Sequence, residues 1–330
     1  MSAPHEIQQQ LFNLLKKKLP AHVSLVDELA DLLNISIDSA YRRIRGEKPI
    51  TFYELKIICE HYHLSVDRLL KLKNNTVLFE APGLDEPAKS FADYLKAVLD
   101  QLSSFDSYQH RRIFYLCKDI PFWYFFLFPE IAAFKVFFWS KTINHHSAFT
   151  HQPFSMDAFP FQECFSLGQA ILKKHNEMQS VELWNLESIH STINQLSYYR
   201  DAGIFKTQDD FDKVIASFCR LIDHLQLQAE KGLKCMPGVE HEPAGKIEFY
   251  VNELILGNNT ILFQLDDTRT SMITYNILSY LICSDERFVN KTFDTYNTLL
   301  SRSALISSTG EKERNIFFNK LRSKVDALHV

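Results

Sequence analysis

Glycine is scarce, with 9 in 330 residues, and none of them falls into a Walker loop, a Rossmann glycine pattern or a GxSxG elbow. Those patterns need glycine because backbone must approach phosphate closely or turn sharply at a nucleophile, so their absence argues against an enzyme built on them. Six cysteines (Cys59, Cys117, Cys164, Cys219, Cys235, Cys283) stand far apart with no CxxC pair. That spacing fits neither a disulfide framework nor a zinc ribbon, and the expectation is buried thiols in a reducing cytoplasm. His145, His146 and His151, or His61 and His63, lack the spacing of a strong zinc site, so no metal and no cofactor is expected. Glu6 and a run of glutamines precede the first leucine, which is unlike a secretory signal.

Long apolar runs are also missing. The nearest approach is Ile120–Trp139, rich in Phe, Trp and Tyr, but Pro129, Glu130 and Lys135 interrupt it. Charges near a bilayer centre cost several kcal/mol each, so no membrane span is expected and a buried aromatic helix is the reading. A dimer interface or an effector pocket lined by these aromatics are the alternatives.

The formal net charge is −4, which is unlike a protein that coats nucleic acid over its whole surface. The average conceals an asymmetry. Residues 1–73 hold 11 Lys/Arg against 9 Asp/Glu, and the remainder holds 25 against 31. Basic character is confined to the first part of the chain and is modest there.

In that part the apolar residues recur at helical spacing. Ile7, Leu11, Leu14, Leu15 and Leu19 mark one helix, and Ser24 is a good N-cap for a second carrying Leu25, Leu29, Ala30, Leu32 and Leu33. Asn34 tolerates a left-handed turn, Ser36 caps a third helix that stops at Gly46, Thr51 caps a fourth, and Ser65 a short fifth. Asn74–Asn75, Pro82–Gly83 and Pro87 mark a linker. Phe91–Leu102 and Phe211–Leu227 read as helices, Phe165–Leu172 less strongly so, and Arg111–Cys117 as a strand or a helix end. After a loop at Pro243–Ala244–Gly245 the period changes to two. Ile247, Phe249 and Val251 alternate, Gly257–Asn258–Asn259 is turn chemistry, and Ile261, Phe263 and Leu265 alternate again, predicting a β-hairpin. Ile273, Tyr275 and Ile277 are a third strand or part of a helix.

The run from Leu25 to Gly46 resembles the helix-turn-helix of phage repressors, Cro and their bacterial relatives. Ala30 stands where that family has a small residue at the helix crossing, Asn34 at the turn position, Ile35 at the buried position after it, and Ala40 where the recognition helix packs on its predecessor. Tyr41-Arg-Arg-Ile-Arg-Gly-Glu-Lys-Pro49 is similar to a subfamily from Bacteroidetes-type bacteria with a long C-terminal domain of unassigned activity. The resemblance implies that the third helix enters the major groove of duplex DNA, a groove of the right width for a helix. Ser36, Ile37, Asp38, Ser39, Tyr41 and Arg42 are then the candidates for base edges, with Arg43 an alternative to Arg42 as the partner of guanine. Arg45, Lys48 and Thr51 are the candidates for phosphates. Arg43 sits where the family usually has an apolar residue, which leaves open which of the two arginines faces the groove.

The expected architecture is therefore mainly α. It has a five-helix helix-turn-helix domain at 1–73, a linker at 74–88, and a larger, mostly helical dimerisation or sensor domain at 89–330. That domain is expected to carry a small antiparallel β-sheet near the C-terminus, with its hairpin at about 246–266 and closing helices at about 286–302 and 311–328. The expected protein is a cytoplasmic transcriptional regulator, a homodimer because one recognition helix covers a half-site, with a small-molecule or protein effector as a further partner. The alternative is a protein-interaction module using the same N-terminal helices.

Overall fold

The computed structural model describes residues 4–20, 23–62, 64–70, 76–82, 90–239, 245–253, 257–276 and 279–329. His63, Ile277, Pro243–Ala244 and the 74–75 and 83–88 parts of the expected linker lie outside them. The chain divides into two compact units, Met1–Leu78 and Phe79–Val330.

The first unit has five described helices: α1 (Pro4–Lys18), α2 (Leu25–Leu33), α3 (Ile37–Ile44), α4 (Phe52–His61) and α5 (Val66–Leu70). Each start is set locally. The Ser24, Ser36 and Thr51 hydroxyls accept from the backbone N–H three residues on, and Glu54 returns the bond to Thr51 N–H to complete a capping box. Asn34 takes the left-handed conformation (φ 51°) and ends α2, so the chain reverses within two residues before α3 begins. Leu11, Phe12 and Leu15 of α1 close over Leu29, Ala30, Ala40 and Ile58 in a buried core. Two alanines at this core let α2 and α3 approach closely.

The second unit corrects the expected mainly helical architecture, because it is organised around a seven-stranded mixed sheet. Its strands are β1 (Arg111–Cys117), β2 (Gln179–Trp184), β3 (Ile247–Val251), β4 (Thr260–Leu265), β5 (Thr268–Thr274), β6 (Tyr280–Cys283) and β7 (Ala304–Leu305), in the order β6-β5-β4-β1-β2-β3-β7. Three neighbouring strands, β1, β2 and β3, are parallel, and antiparallel strands flank them. Parallel neighbours need long crossovers. Here α7 (Pro129–Phe138) and α8 (Gln162–Glu177) separate β1 from β2, while α9 (His190–Asp201) and α10 (Gln208–Lys231) separate β2 from β3.

The expected hairpin of 246–266 does not form. Its two halves are strands as expected, but β3 pairs with β2 (Ser180 opposite Ile247) and β4 pairs with β1 (Ile113 opposite Phe263). Two strands from far earlier in the chain are inserted between them. The real hairpin is β4–β5, which turns at Asp266 (φ 49°) and Asp267. Five of the six residues of β2 are buried, and its polar Ser180 and Glu182 face the main core instead of solvent, so the alternation of its side chains does not mark an outer face. Part of the expected linker also joins the sheet, since Glu80 and Ile282 exchange two backbone hydrogen bonds of 2.8 Å along β6.

Helix α11 (Glu286–Leu300) covers one face of the sheet, where Val289, Phe293 and Tyr296 pack on Phe114, Val181, Leu183 and Leu262. The other face carries the main core. The aromatic segment lies there, with Trp123–Leu127 and Ile131–Trp139 buried alongside residues of α6 (Phe91–Ser104), α8, α10 and α12 (Glu311–Asp326). No helix among the described residues is long and apolar enough to cross a membrane. All six cysteines are free.

Candidate nucleic-acid interface

The side chains of the helix-turn-helix are arranged by the short register of α3. Ala40 is fully buried against the core, so the residues on the opposite side of this eight-residue helix face outward. Ile37 (55% exposed) and Tyr41 (46%) are large and unburied, and Ser36, Asp38 and Arg42 are exposed with them; Ser39 is half-buried. The helix N-terminus is closed by Ser36 and carries Asp38 in its first turn, while Arg42 and Arg43 lie in its last. Arg45 follows as the C-cap, stacking over the Tyr41 ring at 5.7 Å. Lys48 and Thr51 are exposed in the loop and at the start of α4.

Arg43 does not belong with them. It is 3% exposed, and its guanidinium reaches Glu54 Oε1 at 2.5 Å and donates to the Ser39 carbonyl at 3.1 Å. The unusual arginine in the apolar position is thus paid for by a carboxylate eleven residues later, and of the two candidates only Arg42 remains on the open face. Burial pushes the Glu54 carboxyl up, but the bonds from Arg43 and from Thr51 outweigh it and hold the group below the ordinary carboxylate value. An arginine with a partner of this kind keeps its charge inside the unit instead of offering it to a ligand.

The open face also carries an acid. Glu47 lies 3.4 Å from Arg45 and 3.9 Å from Arg42, all three half exposed, so each arginine shares its field with a carboxylate. A phosphate docking here competes with Glu47. Gln8, on α1, is a residue for which the sequence carries no signal. Its amide donates to the Arg43 carbonyl at 2.7 Å and the Lys48 carbonyl at 2.8 Å, and accepts from Ile50 N–H at 3.0 Å.

The second unit gathers titratable groups as well, and seals them. Glu182, on β2, accepts from Tyr124 (2.6 Å), Trp184 Nε1 (3.0 Å) and Ser180 (3.3 Å), and His175 Nε2 lies 3.7 Å away. Lys234 donates to the His175 and Met178 carbonyls at 2.8 Å, the last turn of α8, and reaches His175 Nε2 at 3.2 Å. Glu182, His175 and Lys234 each have 0% exposure, so the cluster faces no solvent. Burial and the Lys234 charge pull His175 down to about 4, which keeps it neutral, and burial pulls Lys234 down to about 7 against the opposing charge of Glu182. The network ties α8, β2 and the segment after α10 together.

Among known families, residues 5–93 match the BetR domain, a stretch that contains α1–α5 and the first residues of α6. No curated protein and no solved structure matches the chain significantly.

Proposed function

We propose that this chain is a sequence-specific DNA-binding transcriptional regulator that acts in the cytoplasm, with α3 as its recognition helix and the second unit serving oligomerisation or effector sensing. The observation that carries the reading is the helix pair itself: α2 and α3 joined by a left-handed Asn34, crossing over Ala30 and Ala40, with Ile37, Asp38, Tyr41 and Arg42 left open on the outer face. A helix presented in this way fits the major groove, and the match of residues 5–93 to the BetR domain is consistent with a regulator. In this reading Ser36, Ile37, Asp38, Ser39, Tyr41 and Arg42 meet base edges, and Arg45, Lys48 and Thr51 meet phosphates. Two copies reading a pseudo-palindrome supply the affinity that one short helix lacks, so a homodimer is the proposed active form. A surface cavity of about 440 Å³ in the second unit, lined by Leu127, Ala170, Met236 and Val239 with Gln169 and Lys173, offers room for a small effector.

Phe52, at 92% exposure, and Tyr53, at 71%, favour a second reading in which the N-terminal unit docks a protein. A gel shift of the full chain against fragmented genomic DNA separates the two. DNA binding gives retarded fragments whose affinity falls steeply with salt, because cations that contact phosphate release counterions. Absence of retarded DNA at low salt overturns the proposal, and sequencing the retained fragments yields the half-site spacing.

A further inference from the structure

The loop Arg45–Ile50 joins the recognition helix to α4 and presents Lys48, yet its position is set from outside. One side chain, Gln8 of α1, uses both amide protons and its carbonyl oxygen on three backbone groups of the segment: the Arg43 and Lys48 carbonyls and the Ile50 N–H. On the other side Arg43 joins the Ser39 carbonyl to Glu54, and Glu54 holds Thr51 N–H at 2.9 Å. The two sets meet at Arg43, whose carbonyl takes the Gln8 proton and whose guanidinium takes the Glu54 carboxylate. The recognition helix, the loop and the N-terminus of α4 are thereby bonded into one piece on α1.

We propose that Gln8 is a positioning residue for DNA binding, holding the loop so that Lys48 stands at a fixed height beside the recognition helix. The inference rests on the DNA-binding reading of α3. Gln8 is neutral and its amide is engaged by backbone, so it contributes no charge to DNA itself. Any change it causes in the salt dependence of binding must come from cations that it places. A residue that only stabilised the fold would not have this effect.

The test uses the full chain and a random-sequence duplex of about 30 base pairs, because the phosphate term is independent of sequence. Lys48→Ala removes one phosphate contact, lowering the slope of log affinity against log salt by about 1 and the affinity by about eightfold at about 0.1 M salt. Gln8→Met, of similar length and without hydrogen bonds, is expected to reproduce most of that loss of slope and affinity, and Gln8→Met with Lys48→Ala to match Lys48→Ala alone. Thermal unfolding identifies variants that remain folded. If Gln8→Met does not fold, Gln8→Asn, which stays neutral but is one methylene too short to reach all three backbone groups, takes its place with the same expectation. A folded Gln8 variant with unchanged slope and affinity, or one whose effect simply adds to that of Lys48→Ala, overturns the inference while leaving the DNA-binding reading intact. Failure of the parent chain to bind the duplex at all overturns that reading instead.

Discussion

Arg43 in the N-terminal unit and Lys234 in the second unit are both buried cations, but they are buried in different kinds of surroundings. Arg43 meets a carboxylate only eleven residues away, on the next helix, and the Glu54 side chain stays 13% exposed. Lys234 meets the end of a helix and a histidine about sixty residues earlier, and that histidine faces a glutamate on β2. The first arrangement assembles from neighbouring elements and lies just beneath an open face. The second exists only once α8, β2 and the segment after α10 are packed, and it reaches no surface. Buried charge in a small helical unit braces a surface; in the larger unit it holds the interior in one arrangement.

Glu182→Gln tests the second half of that contrast and carries the largest expected effect. Removing the carboxylate leaves Lys234 without its compensating charge, a loss of about 3 kcal/mol for the second unit near pH 6. Near pH 9 the loss is smaller, because Lys234 then sheds its proton instead of remaining buried as a cation. Denaturant unfolding followed by tryptophan fluorescence reads this directly, since all three tryptophans lie beyond residue 78. A loss under about 1 kcal/mol at pH 6 would show that the cluster is not a charge network.

Lys135→Met is a gain of intermediate size. Lys135 is buried under Phe125, with Thr192 and Gln195 as its acceptors, and burial brings it from 10.5 down to about 7. Between those values the unfolded chain binds more protons than the folded one, so stability rises with pH across the window and the full penalty applies below 7. Replacing the lysine is expected to stabilise the protein by about 2 kcal/mol at pH 6 after the lost hydrogen bonds are counted, since each tenfold change in proton affinity is worth about 1.4 kcal/mol. The advantage shrinks toward pH 10.5. A variant less stable than the parent at pH 6 contradicts this account.

The smallest effect on stability belongs to the open face. Glu47→Gln removes an exposed acid beside Arg42 and Arg45, so the unfolding free energy is expected to change by less than about 0.5 kcal/mol. Affinity for random duplex DNA, in contrast, is expected to rise about threefold, because phosphates no longer displace a carboxylate. Unaltered or weaker binding would place Glu47 and its arginines away from the DNA.

The local features of the N-terminal unit were legible because each cap bond spans three residues. Ser24, Ser36, Thr51 and the left-handed Asn34 are all features that a few neighbouring residues decide. The choice between Arg42 and Arg43 was not local in this sense. It depended on Glu54 reaching back across the α3–α4 loop, and Gln8 depended on α1 folding over that loop. In the second unit alternation marked β3 and β4 as strands, yet said nothing of their partners. Strands β1 and β2 entered between them through helical crossovers, and β2, buried on both faces, carries Ser180 and Glu182 inside, where a polar residue no longer marks the solvent side.

By itself the sequence determined where the N-terminal helices begin, where the chain turns between α2 and α3, and that the segments of β3 and β4 are extended, because hydrogen bonds and side-chain periods over a few residues decide these. Only the tertiary structure decided that the second unit is built on a mixed seven-stranded sheet and that Arg43 turns inward. Strand pairing and buried ion pairs are contacts between residues distant along the chain, and their free energy exists only when both partners have been brought out of water together.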